Sequence, residues 1–320
     1  MKTKPILIIA GEPNSVFLEI LFKSLKVNNY KNPLILIAST KLLKSQMKLL
    51  GYKYKINSIN IKKDYNKFLD KKKINIIDIE YNFNYPFEKI SKKSNKYVAS
   101  CFKTGINFIK KNECLGLING PIYKKNFLKG RYLGMTEYFA AKLKKRNVVM
   151  LIYNEKLSVS PITTHLPLKD VKKNISKIKI INHVKAITEF YKKKLKINPK
   201  IAITGLNPHC ESNYISSEED KIIIPAINYL IKKKYNVSGP FPADTIFMKE
   251  QYKKYNIIIG MYHDQVLTPA KALFGFDAVN ITLGLPFIRI SPDHGPNLSM
   301  LGKNLSSPAS LVKAIKFLDK

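Results

Sequence analysis

The chain has 320 residues, of which 45% are hydrophobic, so it can bury a packed core and is not intrinsically disordered. Its three cysteines (Cys101, Cys114 and Cys210) exclude a disulfide scaffold and a zinc ribbon built from cysteine alone. No apolar run approaches the roughly 18 residues of a membrane helix. The apolar segment before Gly11 is too short for a secretion signal and is predicted to be a first strand. We therefore expect a cytoplasmic protein of one large or two ordinary domains, with no membrane partner.

The chain is strongly basic, with 56 Lys+Arg against 22 Asp+Glu and a formal net charge of +34. Such a surplus is the first sign of a nucleic-acid-binding protein. However, only three of the basic residues are arginine, the side chain that favours base contacts, and the lysines are spread along the chain. We interpret the charge as a solvated lysine surface that attracts small anions, and we predict no specific nucleic-acid partner. A functional basic surface is the alternative.

Short apolar runs alternate with longer amphipathic segments along the chain. Eight strands are predicted: Pro5–Ala10, Pro33–Ala38, Ile74–Ile79, Leu115–Asn119, Val148–Ile152, Lys200–Thr204, Ile257–Met261 and Ala278–Thr282. Val171–Lys194 has apolar residues at threefold spacing and is predicted to be a helix. The last helix is predicted to start with Ser307 as its N-cap and Pro308 in its first position. The alternation predicts an α/β fold with a largely parallel sheet.

Four of the five histidines lie in turn-rich segments directly after predicted strands or apolar runs: His165, His209, His263 and His294. In α/β proteins the carboxyl ends of strands carry the functional site. Three neutral imidazoles with an open fourth position are typical of a catalytic divalent metal site. The intervals are too long for a zinc finger, so the fold would have to assemble such a site. Isolated loop histidines are the competing interpretation. His183 lies inside the amphipathic helix and is predicted to have a packing or surface role.

Two segments suit an anionic substrate. Thr136 precedes a helical pattern and could offer its hydroxyl and nearby amides to a phosphate, or it could simply cap the helix. Arg289 lies in an apolar run, where a buried guanidinium needs an anionic partner, either a protein carboxylate or the substrate. The chain contains neither the Rossmann glycine fingerprint nor a P-loop.

Six segments, in this order, resemble motifs of the 4-hydroxythreonine-4-phosphate dehydrogenase family of vitamin B6 biosynthesis. They are GPIYK (120–124), TTHLPL (163–168), GLNPH (205–209), GPFPADT (239–245), YHDQ (262–265) and VNITLGLPFIR (279–289) followed by DHG (293–295). Each motif is weak by itself, but together they are a specific signal because they cover nearly the whole chain.

The resemblance implies an isocitrate/isopropylmalate dehydrogenase-like α/β fold of two domains with a cleft between them. We place the domains approximately at residues 1–126 with 292–320 and at residues 127–291. It also implies a homodimer with its site at the dimer interface, and NAD or NADP as cofactor. The divalent metal (Zn, Mg, Mn or Co) would be held by His165, His209 and His263.

The same resemblance assigns the contacts to a phosphorylated small-molecule substrate to four residues: Thr136, Lys271, Asn280 and Arg289. Met135 occupies the position of a family histidine next to Thr136. Asp244 and Asp264 lie in matching motifs and could orient a histidine or metal-bound water, although ordinary turn carboxylates are the alternative.

The implied activity is the NAD-dependent, metal-assisted oxidation of 4-phosphooxy-L-threonine to a β-keto acid. This acid decarboxylates to 3-amino-2-oxopropyl phosphate, in pyridoxal 5'-phosphate biosynthesis. A divalent metal on three imidazoles can act as a Lewis acid for the substrate hydroxyl.

The chain departs from the family at three places. GEPNSVFLE (11–19) stands for GDPAGIGPE, so that Ser15 and Phe17 replace glycines, Met135 replaces histidine, and Asn119 stands where the family often has threonine. These changes affect the predicted substrate pocket more than the metal site or the fold. The first alternative is therefore a paralogous dehydrogenase of another phosphorylated hydroxy acid, such as a four-carbon sugar-acid phosphate. The second is an inactive homologue or a basic nucleic-acid-binding protein.

Overall fold

A computed structural model describes residues 4–27, 29–61, 65–210, 217–275, 277–292 and 295–320. The chain divides into two compact units, one formed by Met1–Arg131 with Pro286–Lys320 and the other by Tyr132–Leu285. This division differs from the predicted one by short segments at both transitions. As a result Arg289, which the sequence grouped with the second domain, lies in the first unit.

Twelve strands lie in the described part of the chain: β1 (Ile6–Ile9), β2 (Leu34–Ala38), β3 (Ile56–Ser58), β4 (Ile74–Asp78), β5 (Gly116–Asn119), β6 (Val149–Tyr153), β7 (Ser158–Thr163), β8 (Ile201–Thr204), β9 (Val237–Phe241), β10 (Ile257–Tyr262), β11 (Val279–Leu283) and β12 (Arg289–Pro292).

The α-helices of the same ranges are α1 (Phe17–Val27), α2 (Thr40–Leu49), α3 (Lys92–Lys111), α4 (Lys124–Phe127), α5 (Met135–Lys142), α6 (Leu168–Val171), α7 (Lys177–Phe190), α8 (Ile224–Lys232), α9 (Lys249–Tyr252), α10 (His263–Phe274) and α11 (Ala309–Leu318). None of the described helices is long and apolar enough to cross a membrane. None of the three cysteines, all of which lie in the described ranges, forms a disulfide.

The first unit is built on parallel strands in the order β3-β4-β2-β1-β5-β12. Its interior strand β1 is fully buried, with no exposed area on Ile6, Leu7, Ile8 or Ile9. Such a continuous apolar run is typical of a parallel strand that is covered on both faces. Arg289 belongs to this unit because β12 pairs with β5, where Arg289 lies opposite Leu117.

The second unit has the strand order β11-β6-β7-β10-β8-β9. Strand β10 is parallel to both of its neighbours, β7 and β8, whereas β6 is antiparallel to β7 and β11. The prediction of an α/β fold is therefore confirmed, and the largely parallel character holds throughout the first unit and for the β7-β10-β8-β9 half of the second.

All eight predicted strands are present, but β3, β7, β9 and β12 were not predicted. Strand β7 is the instructive case because it contains serine and proline and yet all six residues are buried. Its polar side chains find hydrogen-bond partners inside the protein, so its sequence does not show the apolar run of an interior strand.

The predicted helix Val171–Lys194 is wrong in extent. Ile175 and Ser176 have extended backbones, with ψ of 134° and 153°, and separate the short helix α6 from α7. The Ser176 hydroxyl accepts a hydrogen bond from the Lys179 amide, which makes it the N-cap of α7. At the other end, α7 passes into a π-helical turn over Tyr191–Leu195.

The last helix, α11, begins at Ala309, one residue later than predicted. Pro308 precedes it, and the Ser307 hydroxyl accepts a hydrogen bond from the Ala309 amide at 3.3 Å. Ser307 therefore supplies the predicted capping bond, although Pro308 lies just outside the helix.

Candidate active site

Three histidines follow three adjacent parallel strands of the second unit. His165 comes after β7, His263 directly after β10 and His209 after β8, and β10 lies between the other two strands. Because the carboxyl ends of parallel strands meet at one edge of a sheet, the fold brings all three loops to the same edge. The strand order therefore shows that the three histidine loops lie at one edge, which the spacing of the histidines in the sequence could not show.

His165 and His263 lie side by side. Their ring centres are 5.7 Å apart, with the planes tilted by 39°. Nδ1 of His263 lies 2.6 Å from Oδ1 of Asp264. Since an ionised carboxylate can only accept, Nδ1–H is the donor, and in the neutral imidazole this leaves the lone pair on Nε2. Asp264 therefore orients the ring of His263 in the way that carboxylates orient metal-binding histidines.

Glu137 in the first turn of α5 faces His165. Its Oε2 lies 3.7 Å from Nδ1 of His165, and both atoms are buried without a hydrogen-bond partner. Its Oε1 accepts a hydrogen bond from the Thr164 hydroxyl at 2.9 Å. Burial raises the pKa of Glu137, but His165 and Thr164 outweigh it, so the pKa lies below its usual value. An anionic carboxylate thus sits behind His165, a contact that the sequence analysis did not find.

The start of α5 approaches the ring of His165 closely. A Cβ atom at Gly134 would lie 2.6 Å from Cε1 of His165, so a larger residue there would displace the His165 ring. Gly134 is also the N-cap of α5, which excludes the simple capping role considered for Thr136. The sequence contains one weak signal for the contact between Glu137 and His165. It is the glutamate in the first helical turn, in the segment GMTE (134–137).

His209 lies apart from this pair. It is exposed and has a left-handed backbone with φ of 61°. Within the described ranges, no group of three His, Cys, Asp or Glu side chains is arranged to hold a metal ion. The structure therefore brings two of the three predicted ligands together and places the third on the loop of the neighbouring strand.

The spacing of His165 and His263 fits two ligands of one divalent cation. Two imidazoles that bind one zinc ion at about 2.1 Å have ring centres roughly 5–6 Å apart, and His165 and His263 are 5.7 Å apart. The buried, unpartnered Nδ1 of His165 faces an anionic carboxylate, which suits an imidazole whose other nitrogen binds a cation.

Two predicted substrate contacts lie close in the second unit. Thr136 is buried, with its hydroxyl 3.4 Å from that of Thr282 on β11. Asn280 is two residues earlier on β11 and so shares a face of the strand with Thr282. The side-chain oxygen of Asn280 is buried without a hydrogen-bond partner. Met135, the first residue of α5, is 8% exposed.

The other two predicted contacts are Lys271 and Arg289. Lys271 is exposed on α10, the helix that begins with His263. Arg289 is 1% exposed, and its Nε donates to Oδ1 of Asn119 at 2.7 Å. The Asn119 amide group donates in turn to the Gly120 carbonyl, so its oxygen is fixed toward Arg289. The amide that replaces the family threonine thus supports the arginine.

Three further residues that the sequence analysis singled out lie away from the histidine pair or outside the described ranges. Asp244 is exposed in the segment after β9. His183 is 4% exposed and bonds the Ser160 hydroxyl at 2.6 Å, in agreement with a packing role. His294, with Asp293, lies outside the described residues.

The altered amino-terminal segment packs tightly without its two glycines. Gly11 has φ of +78°, and a Cβ there would lie 2.3 Å from the Pro121 carbonyl oxygen, so this glycine is required. Ser15 is buried and donates to the Glu12 carbonyl at 2.7 Å, and Phe17 is a buried residue that begins α1.

Histidines and carboxylates at the carboxyl ends of parallel strands, in a fold of two α/β units, are typical of the active site of an α/β enzyme. Solved structures identify the fold. A 4-hydroxythreonine-4-phosphate dehydrogenase from Klebsiella pneumoniae matches with a TM-score of 0.82 and 26% identity, over 99% of this chain and 98% of that one. Isocitrate dehydrogenase from Methylococcus capsulatus, at 9% identity, matches with a TM-score of 0.50 over 98% and 84% and shares the fold alone.

Sequence comparison gives the family. The sequence model of the pyridoxal phosphate biosynthetic protein PdxA matches residues 29–318. A curated 4-hydroxythreonine-4-phosphate dehydrogenase from Sulfurihydrogenibium sp. is 37% identical over 314 residues, 97% of this chain and 95% of the relative. The chain therefore belongs to the PdxA family, whose curated members are named as dehydrogenases. The resemblance seen in the sequence motifs is confirmed.

Proposed function

We propose that this protein is an NAD-dependent, metal-assisted dehydrogenase that oxidises 4-phosphooxy-L-threonine. The product is a β-keto acid, which loses carbon dioxide to give 3-amino-2-oxopropyl phosphate for pyridoxal 5'-phosphate synthesis. NADP is the alternative cofactor. The observation that carries the proposal is the pair His165–His263, with the His209 loop on the adjacent strand, in a chain of the PdxA family.

The three histidines are the proposed holders of a divalent metal. When bound, this metal supplies a Lewis acid that lowers the pKa of the substrate hydroxyl. The protein's own contribution is orientation, since Asp264 fixes the ring of His263 and Glu137 stands behind His165. Imidazole ligands suit Zn, whereas Mg and Mn prefer oxygen ligands, so a comparison of Zn, Mg, Mn and Co tests the ligand assignment.

The substrate's anionic groups are assigned to side chains that can donate hydrogen bonds. In the proposal, the Thr136 hydroxyl at the start of α5 takes the phosphate together with helix-start amides. Lys271 and Arg289 neutralise the remaining negative charge, and Asn280 orients the substrate through its buried amide oxygen. Assembly as a homodimer with the site at its interface, and a cytoplasmic location, remain predictions.

One observation favours a second candidate, a dehydrogenase of a phosphorylated four-carbon sugar acid. Met135 is buried at the first position of α5, where the family has a histidine that can donate to a phosphate. Methionine cannot make this bond, so the substrate pocket of this chain is not that of its relatives at this position.

The two candidates are separated by one measurement. The protein is stripped with a chelator, reloaded with each divalent ion, and assayed for NADH formation with both phosphorylated acids. The proposal expects turnover with 4-phosphooxy-L-threonine that disappears in His165→Ala, whereas the exposed-lysine variant Lys253→Ala keeps it. Preference for the sugar-acid phosphate would select the second candidate, and turnover of neither acid with any ion would refute both.

A further inference from the structure

The loop that carries His209 is fixed at its base by a carboxylate of another element. Oε1 of Glu219 accepts hydrogen bonds from the backbone amides of Leu206 and Asn207, at 2.7 and 2.8 Å. Its Oε2 accepts a third, from the Asn207 side chain at 2.8 Å. Glu219 is 1% exposed and begins the π-helical turn that leads into α8. The loop base is thus held by three bonds to one buried side chain.

The chemistry of these bonds requires a carboxylate. All three partners are N–H donors, and an ionised carboxylate is the side chain that only accepts. Burial raises the pKa of Glu219, but the hydrogen bonds from Asn207 and Leu206 outweigh it, so the pKa lies below its usual value. Bonds to an ionised acceptor are about twice as strong as neutral ones. A glutamine would keep one acceptor and turn its own N–H group toward these donors.

The same loop is tied to the strand that precedes His263. The Gln265 side chain donates to the Gly205 carbonyl at 2.8 Å, and its oxygen accepts from the Met261 amide at 2.7 Å. Gln265 lies two residues after His263 in α10. A Cβ atom at Gly205 would lie 2.9 Å from Oε1 of Glu219, so a larger residue there would crowd the bonds between Glu219 and the loop. The loops of His209 and His263 therefore share a hydrogen-bonded framework.

The backbone of His209 needs such support. Its φ of 61° and ψ of 0° are in the left-handed region, which is costly for a non-glycine residue. Conformations of this kind persist only where their surroundings over-determine them, and they gather at functional sites. The three bonds to Glu219 lie two and three residues before His209.

We propose that Glu219 is a positioning residue for the divalent metal, because it holds the base of the loop that presents His209 at the same sheet edge as the loops of His165 and His263. This inference rests on the proposed function, since it takes His209 as a ligand. Glu219 itself is assigned no contact with the metal or the substrate.

The test compares Glu219→Gln with Glu218→Gln. Glu218 is the matched control because it also accepts from the Asn207 side chain, at 3.0 Å, while its other carboxylate oxygen pairs with the Lys172 ammonium at 2.7 Å. Zn²⁺ affinity is measured on the full-length protein by competition with a chromophoric chelator. We expect Glu219→Gln to weaken binding by about tenfold or more, in the range of residues that orient metal ligands. Glu218→Gln should change it much less.

Two further readouts separate positioning from general destabilisation. Amide hydrogen exchange should accelerate at Leu206 and Asn207 in Glu219→Gln while the β10 amides stay protected. In a double-mutant cycle, Glu219→Gln should have no added effect on Zn²⁺ affinity once His209 is alanine, because it acts through that residue. If Glu219→Gln does not fold, Asn207→Ala removes the side-chain bonds to Glu219 and Glu218 but keeps both amide bonds to Glu219, and it should weaken Zn²⁺ binding to a smaller extent.

The outcomes are distinct. Unchanged affinity in Glu219→Gln, with His209→Ala impaired, would overturn this inference and leave the proposed function intact. Equal losses from Glu219→Gln with and without His209 would also overturn it. Equal Zn²⁺ affinity in the wild-type protein and in His209→Ala would overturn both the metal assignment and the inference.

Discussion

Strands β1 and β7 are both fully buried interior strands, one in each unit, but they are built from different chemistry. Strand β1 reads ILII and has only apolar side chains, whereas β7 reads SVSPIT. In β7 the Ser160 hydroxyl donates to the Met150 carbonyl, and the Thr163 hydroxyl donates to the Met261 carbonyl at 2.7 Å. Strand β1 is thus stabilised by apolar burial, whereas β7 uses hydrogen bonds to fix the strand that ends beside His165.

The strand that is fixed by hydrogen bonds is the one that precedes a candidate metal ligand, His165. Apolar packing is non-directional and stabilises a strand without fixing the direction of a side chain at its end. Hydrogen bonds are directional, and those of Thr163 join the ends of β7 and β10, the strands that His165 and His263 follow. Substitutions in β1 should therefore change the stability of the fold, whereas substitutions at the histidine pair should change metal binding.

The largest effect is expected at the histidine pair. His263→Ala should abolish metal retention and dehydrogenase activity together, because a site of three protein ligands loses one of them. The thermal stability of the metal-free protein should change little, since His263 is partly exposed. Metal content by elemental analysis, compared with that of Lys253→Ala, checks this, and full occupancy in His263→Ala would contradict the ligand assignment.

The reverse pattern is expected in the first unit. Ile8→Ala on β1 should lower the free energy of unfolding by about 3 kcal/mol, because it leaves a cavity in a fully buried site. Zn²⁺ affinity of the folded protein should not change. Ser160→Ala on β7, which removes one hydroxyl and little volume, should cost about 1–2 kcal/mol. Denaturant titration measures both, and a larger loss from Ser160→Ala would show that the two strands are not stabilised as described.

The buried His183 gives the second unit a pH dependence. Burial, and then the charge of Lys179, lower the pKa of His183 from 6.5 to about 3. Its neutral form is stabilised by folding, so its contribution is complete above pH 6.5 and is lost as the pH falls toward 3. Within this window the contribution to the free energy of unfolding falls by about 1.4 kcal/mol per pH unit.

Because carboxylates titrate in the same window, the measured quantity is the difference between the wild-type protein and His183→Gln. Glutamine can retain a hydrogen bond to Ser160 but does not titrate. The free energy of unfolding of the wild-type protein minus that of His183→Gln should decrease as the pH falls from 6.5 to 4. A constant difference would show that His183 is not held neutral in the folded protein.

The smallest effect is expected at Met135. Met135→His should lower KM for 4-phosphooxy-L-threonine with less effect on kcat, since it adds a donor to the substrate phosphate, and should leave metal affinity unchanged. One hydrogen bond to a charged group contributes about 1.5–3 kcal/mol before any compensation. Steady-state kinetics would decide. A large gain in kcat would indicate that the natural protein is adapted to another substrate, and no change would place residue 135 away from it.

Local sequence patterns indicated the α/β class, eight of the strands and the position of four of the five histidines after a strand or apolar run. These are local properties, because apolar periodicity and turn residues act over a few neighbouring positions. The motif order also determined the family, since GLNPH (205–209) and YHDQ (262–265) are specific as a set.

Only the tertiary structure decided how these pieces meet. The order β7-β10-β8, the contact of Glu137 with His165 and the three bonds from Glu219 to the His209 loop all join residues distant in sequence. Strand β7 escaped prediction because its polar side chains are satisfied by partners that only the fold supplies. Arg289 belongs to the first unit for a similar reason, because strand pairing with β5 and not its local sequence assigns it there.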